Sequence, residues 1–126
     1  MTELTPRPAP RPASTLPPLP RHDPITNLPI VVLYPHSRCN CRCQMCDIWR
    51  VKEKQEIAPA DVAGWLPELR RLGVRRVVLS GGEPLMHSDL WTLCETLRSE
   101  GIGITILSTG LLLRRHVADV VRYCDD

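Results

Sequence analysis

The apolar positions of this chain fall into short runs separated by helical repeats. Pro29-Ile-Val-Val-Leu-Tyr34 is a continuous apolar run with three β-branched residues. It predicts a short strand, buried on both faces as in a parallel sheet. A polar stretch follows, and a helix is expected from Ala58-Pro59, with proline suited to its first position. Val62, Trp65 or Leu66, Leu69 and Leu72 recur at helical spacing up to Gly73, and Pro67 is expected to bend or break this helix. Val74 to Ser80 predicts a second strand. Ser88 is the expected N-cap of a second helix, with Asp89 in its first turn and Leu90, Leu93, Cys94 and Leu97 on its apolar face. Ile102 to Leu107 predicts a third strand, and Arg114 to Tyr123 a third helix carrying Val117, Val120 and Val121. The order β-loop-α-β-α-β-α predicts an α/β fold with a parallel sheet. Right-handed crossovers would bring the C-terminal ends of all the strands to one edge.

Composition divides the chain in two. Ten of the 13 prolines fall in the first 35 residues, and Pro6 to Pro24 has few large apolar side chains. Residues 1–28 therefore read as a disordered or polyproline tail, and residues 29–126 as the folding unit. A formal net charge of +2 with no phenylalanine, and no basic stripe interleaved with aromatics, gives no support for nucleic-acid binding. No segment has the length and apolarity of a signal peptide or membrane span, so a soluble, cytoplasmic protein without a membrane partner is expected.

The candidate chemistry lies just after each predicted strand. After the first come Cys39, Cys41, Cys43 and Cys46, four thiols in eight residues, three of them spelling C-x3-C-x2-C. Such crowding reads as a metal site rather than a disulfide framework, since Cys94 and Cys124 stand singly in helical patterns and read as small core residues. Three thiolates would leave one iron of a [4Fe-4S] cubane open to a further ligand. After the second strand comes Gly81-Gly82-Glu83-Pro84, where two glycines permit close backbone approach to a ligand and Glu83 offers a carboxylate that favours a cation. After the third come Ser108-Thr109-Gly110. In (β/α) barrels and their partial relatives that edge is where chemistry is done. His36 and His87 are not singled out as ligands, and Trp49, Trp65 and Trp91 are expected to pack on sheet faces.

The run Cys39-Asn40-Cys41-Arg42-Cys43-Gln44-Met45-Cys46, with Gly81-Gly82-Glu83-Pro84 and Ser108-Thr109-Gly110 at these positions, resembles the radical S-adenosylmethionine (radical SAM) superfamily. The resemblance covers about residues 30 to 126, and its style is closest to the branch of molybdopterin-precursor cyclases and peptide- or cofactor-maturing enzymes. It implies about three βα units of a partial (β/α)6 TIM-like barrel, so the chain is expected to be the N-terminal part of the core domain. It implies an enzyme in which Cys39, Cys43 and Cys46 hold a [4Fe-4S] cluster and SAM chelates the fourth iron. The Gly81–Pro84 turn and Glu83 would meet the SAM amino group, Met45 would lie near the adenine, and Ser108 and Thr109 would contact SAM or substrate. It further implies an electron donor such as a flavodoxin or ferredoxin, and a substrate, small molecule or peptide, that the sequence does not identify. Cys41 departs from the family pattern and reads either as a packed thiol or as a fourth ligand. Two other readings of the thiols stay open: a small iron–sulfur electron-transfer module using all four, and a zinc-stabilised interaction domain. With three units, the third strand is expected to be a bare edge, with Ile102, Ile104, Ile106 and Leu107 facing water or another chain, and the 126 residues alone are expected not to turn over substrate.

Overall fold

The computed structural model describes residues 24–126; most of the expected proline-rich tail lies outside the described residues. Strand β1 spans Ile30–His36, helix α1 Pro59–Arg71, strand β2 Arg76–Gly81, helix α2 Leu90–Ser99, strand β3 Gly103–Ile106 and helix α3 Leu113–Tyr123. The strands form one parallel sheet in the order β1-β2-β3, with Val31 opposite Val77 and Val77 opposite Ile104. This is the expected α/β arrangement of βα units.

One face of the sheet is the core. Val77, Leu79 and Ile104 are fully buried there with Val62 of α1 and Leu93, Cys94 and Leu97 of α2. The period of two turns the alternate residues to the other face. β1 was expected to be buried on both faces, but Ile30, Val32 and Tyr34 are each more than half exposed. The helices cover one side only, and among the described residues nothing packs over the other.

Three local expectations are also corrected. Helix α1 runs through Pro67 without a break. Pro67 sits on the solvent side, so the carbonyl it fails to bond can be hydrated. Ser88 does not cap α2; Asp89 precedes the helix, and the Ser88 N–H and hydroxyl both donate to the Glu56 carboxylate. The tryptophans divide: Trp91 packs against the core cluster and stacks on Tyr123 of α3, whereas Trp65 is 40% exposed and the Trp49 ring lies against the Arg42 and Arg50 guanidinium groups.

The outer edge of β3 is not bare. The Asp125 N–H donates to the Ile104 carbonyl, the Ile106 N–H donates to the Asp126 carbonyl, and the Asp125 carboxylate accepts from the Ile104 N–H. The chain leaving α3 thus returns along the β3 edge, and Ile102 and Ile104 are buried beneath α2, while Leu107 stays exposed.

Candidate functional site

All three motifs lie at the C-terminal ends of the strands and are tied into one unit. The turn after β2 holds the start of the cysteine loop through two backbone bonds. The Gly82 N–H donates to the His36 carbonyl at 3.2 Å, and the Glu83 N–H to the Arg38 carbonyl at 2.8 Å, immediately before Cys39. Glycine is required at both positions of this turn. Gly81 has φ +96°, and a Cβ there would stand 2.6 Å from Tyr34 Cβ; a Cβ on Gly82 would stand 2.2 Å from the Arg38 carbonyl oxygen. The glycines therefore bring the turn against the chain's own cysteine loop as well as leaving room beside it.

Glu83 is fully buried. One carboxylate oxygen accepts from the Leu85 N–H and the Ser108 hydroxyl, both at 2.9 Å, and the other from the Thr109 N–H at 2.7 Å. Glu83, expected to offer a carboxylate that favours a cation, is here held by the chain's own groups. Its oxygens meet donors of the same chain, because the Gly-Gly turn directs the side chain inward to the β3 loop. Ser108 and Thr109 are likewise engaged: the Thr109 hydroxyl bonds the Asn40 amide oxygen at 3.0 Å, closing a link between the β3 loop and the cysteine loop. Asn40 carries no sequence signal beyond its place between two cysteines, and its role emerges from this contact. His36 is another buried residue that the sequence leaves unassigned. Its Nδ1 accepts from the Arg38 N–H at 3.1 Å and fixes the backbone that enters the cysteine loop. Met45, expected near a bound adenine, is 96% exposed.

The segment returning from the cysteines is anchored by Glu56. Burial opposes its ionisation, but the hydroxyl and N–H of Ser88 and the Lys54 ammonium outweigh it and bring the carboxylate down to about 2. Between this segment and the strand ends lies a cavity of about 460 Å³, lined by Tyr34, His36, Ile48, Val51 and Gln55 with Gly81 and Gly82.

All six cysteines are free thiols. Cys94 is buried in the core, and burial pushes it up to about 12, which removes it from metal chemistry. The loop thiols differ. Cys43 is exposed and Cys39, Cys41 and Cys46 are partly so, with the Cys43 thiol donating toward Cys41 Sγ at 3.7 Å. Cys43 is raised above the ordinary thiol value, first by that hydrogen bond and by the charge of Cys41, then by Cys46 and Cys39. Crowded thiols resist ionising together unless a cation joins them, and a metal centre reverses that balance. Among the described residues no three such side chains already converge on a metal position. The donor set nonetheless fits an iron–sulfur cluster: it is all sulfur, accessible, and carried on a loop whose entry is fixed by Gly82, Glu83 and His36.

A sequence profile of the Radical SAM superfamily matches residues 33–126. The chain belongs to the radical SAM superfamily. Members of this superfamily use a [4Fe-4S] cluster and SAM. Among relatives, a 7-carboxy-7-deazaguanine synthase of Rhodopirellula baltica is 38% identical over 59% of this chain and 29% of its own length. A probable GTP 3',8-cyclase of Thermococcus kodakarensis is 30% identical over 72% of this chain and 29% of its own. The chain thus spans under a third of these curated relatives. Streptococcus suis SuiB, solved bound to S-adenosylmethionine, superposes with a TM-score of 0.68 at 22% identity, over 78% of this chain and 23% of that one. That likeness shows the shared radical SAM fold, of which this chain carries three parallel βα units. No helix among the described residues is long and apolar enough to cross a membrane.

Proposed function

We propose that residues 29–126 form the cofactor-binding part of a radical SAM enzyme. Cys39, Cys43 and Cys46 hold the [4Fe-4S] cluster, and the Gly81–Pro84 turn holds the methionine end of SAM beside it. Bound there, the two cofactors supply reductive cleavage of SAM to methionine and a 5'-deoxyadenosyl radical, which abstracts hydrogen from the substrate.

The observation that carries this reading is the hydrogen-bonded joining of the three loops. Gly82 and Glu83 fix the backbone entering the cysteine loop, Glu83 braces Ser108 and Thr109, and Thr109 returns to Asn40. A cluster ligand and a turn for SAM on separate strands need this fixed relation, because the cysteine-held cluster and the ammonium-binding turn must meet the same methionine end of one molecule. The adjoining cavity supports the assignment, since small-molecule sites run from about 300 to 1,000 Å³. In this reading the backbone of Gly81 and Gly82 meets the ammonium, the Glu83 carboxylate holds the turn in shape, and Ser108 and Thr109 act by holding Glu83 and Asn40. Met45 would approach adenine only if the exposed loop closes over the cofactor.

The relatives' names include cyclisation of GTP and synthesis of a deazapurine. A purine-containing or peptide-derived substrate for the whole protein would be consistent with this company, as would a low-potential electron donor of the flavodoxin or ferredoxin class. The test is anaerobic reconstitution with iron and sulfide, followed by electron paramagnetic resonance of the reduced cluster with and without SAM. A cubane signal that changes on adding SAM supports the proposal; iron without a SAM response supports the electron-transfer module, and bound zinc the interaction domain. The electron-transfer alternative rests on Cys41, whose thiol lies beside Cys43 and could close the fourth position.

A further inference from the structure

Tyr34 stands at an irregularity in β1. Up to Leu33 the strand pairs residue for residue with β2, Leu33 opposite Leu79, but the next pair is His36 with Gly81. Three steps along β1 thus match two along β2, and the extra residue bulges the strand at Tyr34-Pro35. A bulge re-aims the side chains at the end of a strand. Proline suits it, having no N–H to lose from the ladder. Pro35 is fully buried, and its carbonyl accepts from the Ile57 N–H at 3.0 Å, so the returning segment pins the bulge. Tyr34 is 64% exposed, on the sheet face that the helices leave uncovered.

The root of the ring lies on Gly81. A Cβ there would stand 2.6 Å from Tyr34 Cβ and 2.7 Å from its Cγ, so only glycine lets the turn come this close. Tyr34 and the two glycines line the same cavity of about 460 Å³. The carboxylates of Glu83, at the turn, and Glu56, on the cavity wall, are already occupied. Glu83 is buried against three donors. Glu56 accepts from the Ser88 N–H and hydroxyl, with the Lys54 ammonium 3.3 Å away. The face of the Tyr34 ring is an electron-rich surface beside the turn that is still open to a cation.

We propose that the Tyr34 ring carries the sulfonium of SAM in a cation–π contact, and so selects SAM over uncharged thioethers of the same shape. The inference rests on the assignment of the Gly81–Pro84 turn to the methionine end of SAM. The sulfonium lies two methylene groups beyond the carbon that bears the amino group. A ligand anchored by that amino group at the Gly81 and Gly82 backbone brings its sulfonium within the span of a ring rooted on Gly81, since an aromatic face attracts a cation up to about 6 Å from its centroid. The sulfonium is the group to hold there because its charge is permanent. The amino group gives up its proton when it chelates iron, and the carboxylate is an anion that the ring face repels. A sulfonium has no N–H or O–H to donate, so a π face suits it better than a hydrogen-bonding side chain.

The experiment measures binding of SAM and of S-adenosylhomocysteine, which lacks the sulfonium charge, by anaerobic calorimetry on the iron–sulfur-reconstituted protein. Wild type, Tyr34→Phe and Tyr34→Leu are compared. The readout is the preference for SAM, the ratio of the two dissociation constants. Tyr34→Phe keeps the ring and should keep the preference within about twofold. Tyr34→Leu should lose about fivefold of it, the size of a cation–π contact at a part-exposed site, with S-adenosylhomocysteine affinity little changed. Equal weakening of both ligands in Tyr34→Leu puts the ring on a group they share and overturns the inference, as does an unchanged preference. A second series keeps the shape of the ring: phenylalanine with one, two and three ring fluorines at position 34 draws electrons progressively from the π face. The preference for SAM should fall stepwise along it. A flat series overturns the inference, and this series decides the question if Tyr34→Leu does not fold. The underlying assignment fails separately. A wild-type cluster signal with no response to SAM removes the site itself, whereas a normal response with an unchanged preference in Tyr34→Leu removes only the role of Tyr34.

Discussion

The Glu83 carboxylate accepts a 2.7 Å hydrogen bond from the Thr109 N–H and so joins the turn after β2 to the turn after β3. Glu83 is fully buried, and its oxygens receive two further donors, the Leu85 N–H and the Ser108 hydroxyl. No cation is needed to hold it. A buried carboxylate is stable in such a place when hydrogen bonds replace its hydration.

Replacing Glu83 by Gln puts an NH2 group against N–H and O–H donors, and at least one charge-assisted bond is lost. Such a bond is worth roughly 1.5–3 kcal/mol. A fall in Tm of about 10 °C is expected for a domain of this size, read by circular dichroism. SAM affinity should fall with it while iron content is retained. Unchanged Tm with weakened SAM binding would instead assign the carboxylate directly to the SAM ammonium.

Gly82→Ala tests the contact between the turn and the cysteine loop. Its Cβ would stand 2.2 Å from the Arg38 carbonyl oxygen, so backbone must move. The Arg38–Cys39 segment should be displaced, giving faster amide exchange at residues 38–40 and poorer cluster reconstitution. Wild-type exchange and full iron uptake in this variant would show that the turn does not set the loop.

For the thiols, Cys39→Ala, Cys43→Ala and Cys46→Ala should each abolish reconstitution of the cubane, measured as iron and labile sulfide. Cys41→Ala should retain it and retain the SAM response. A Cys41→Ala variant that loses iron as fully as the others would make Cys41 a ligand and favour the electron-transfer module.

Glu56 gives a pH dependence. Its carboxylate lies at about 2, below the ordinary 4.5, so folding favours the ionised form. The stability it contributes is complete above 4.5 and is lost as the pH falls from there toward about 2. Glu56→Gln should lower Tm at neutral pH and flatten its decline across that acid range. An unaltered Tm–pH curve would remove Glu56 as the anchor of the returning segment.

The linear pattern of residues determined the element order, the parallel sheet and the placement of three motifs after three strands. These follow from periods of two and 3.6 and from short connections, which are local properties. The cysteine spacing and the Gly-Gly turn were equally legible, because close backbone approach restricts the residues allowed. Tertiary structure decided the rest. Glu83 reads in the sequence as a carboxylate that favours a cation, and only the fold shows that the β3 loop supplies donors to it from 25 and 26 residues away. Asn40 and His36 gain their roles through partners that spacing does not specify, and Ser88 is drawn from a helix cap to Glu56, 32 residues earlier. Apolarity alone did not decide which face of β1 is covered, since Ile30 and Val31 are equally apolar and only the placement of α1 and α2 distinguishes them. Hydrogen-bond direction and burial depend on what the fold brings near, and a one-dimensional pattern carries that information only where a steric limit leaves a single choice, as at Gly81 and Gly82.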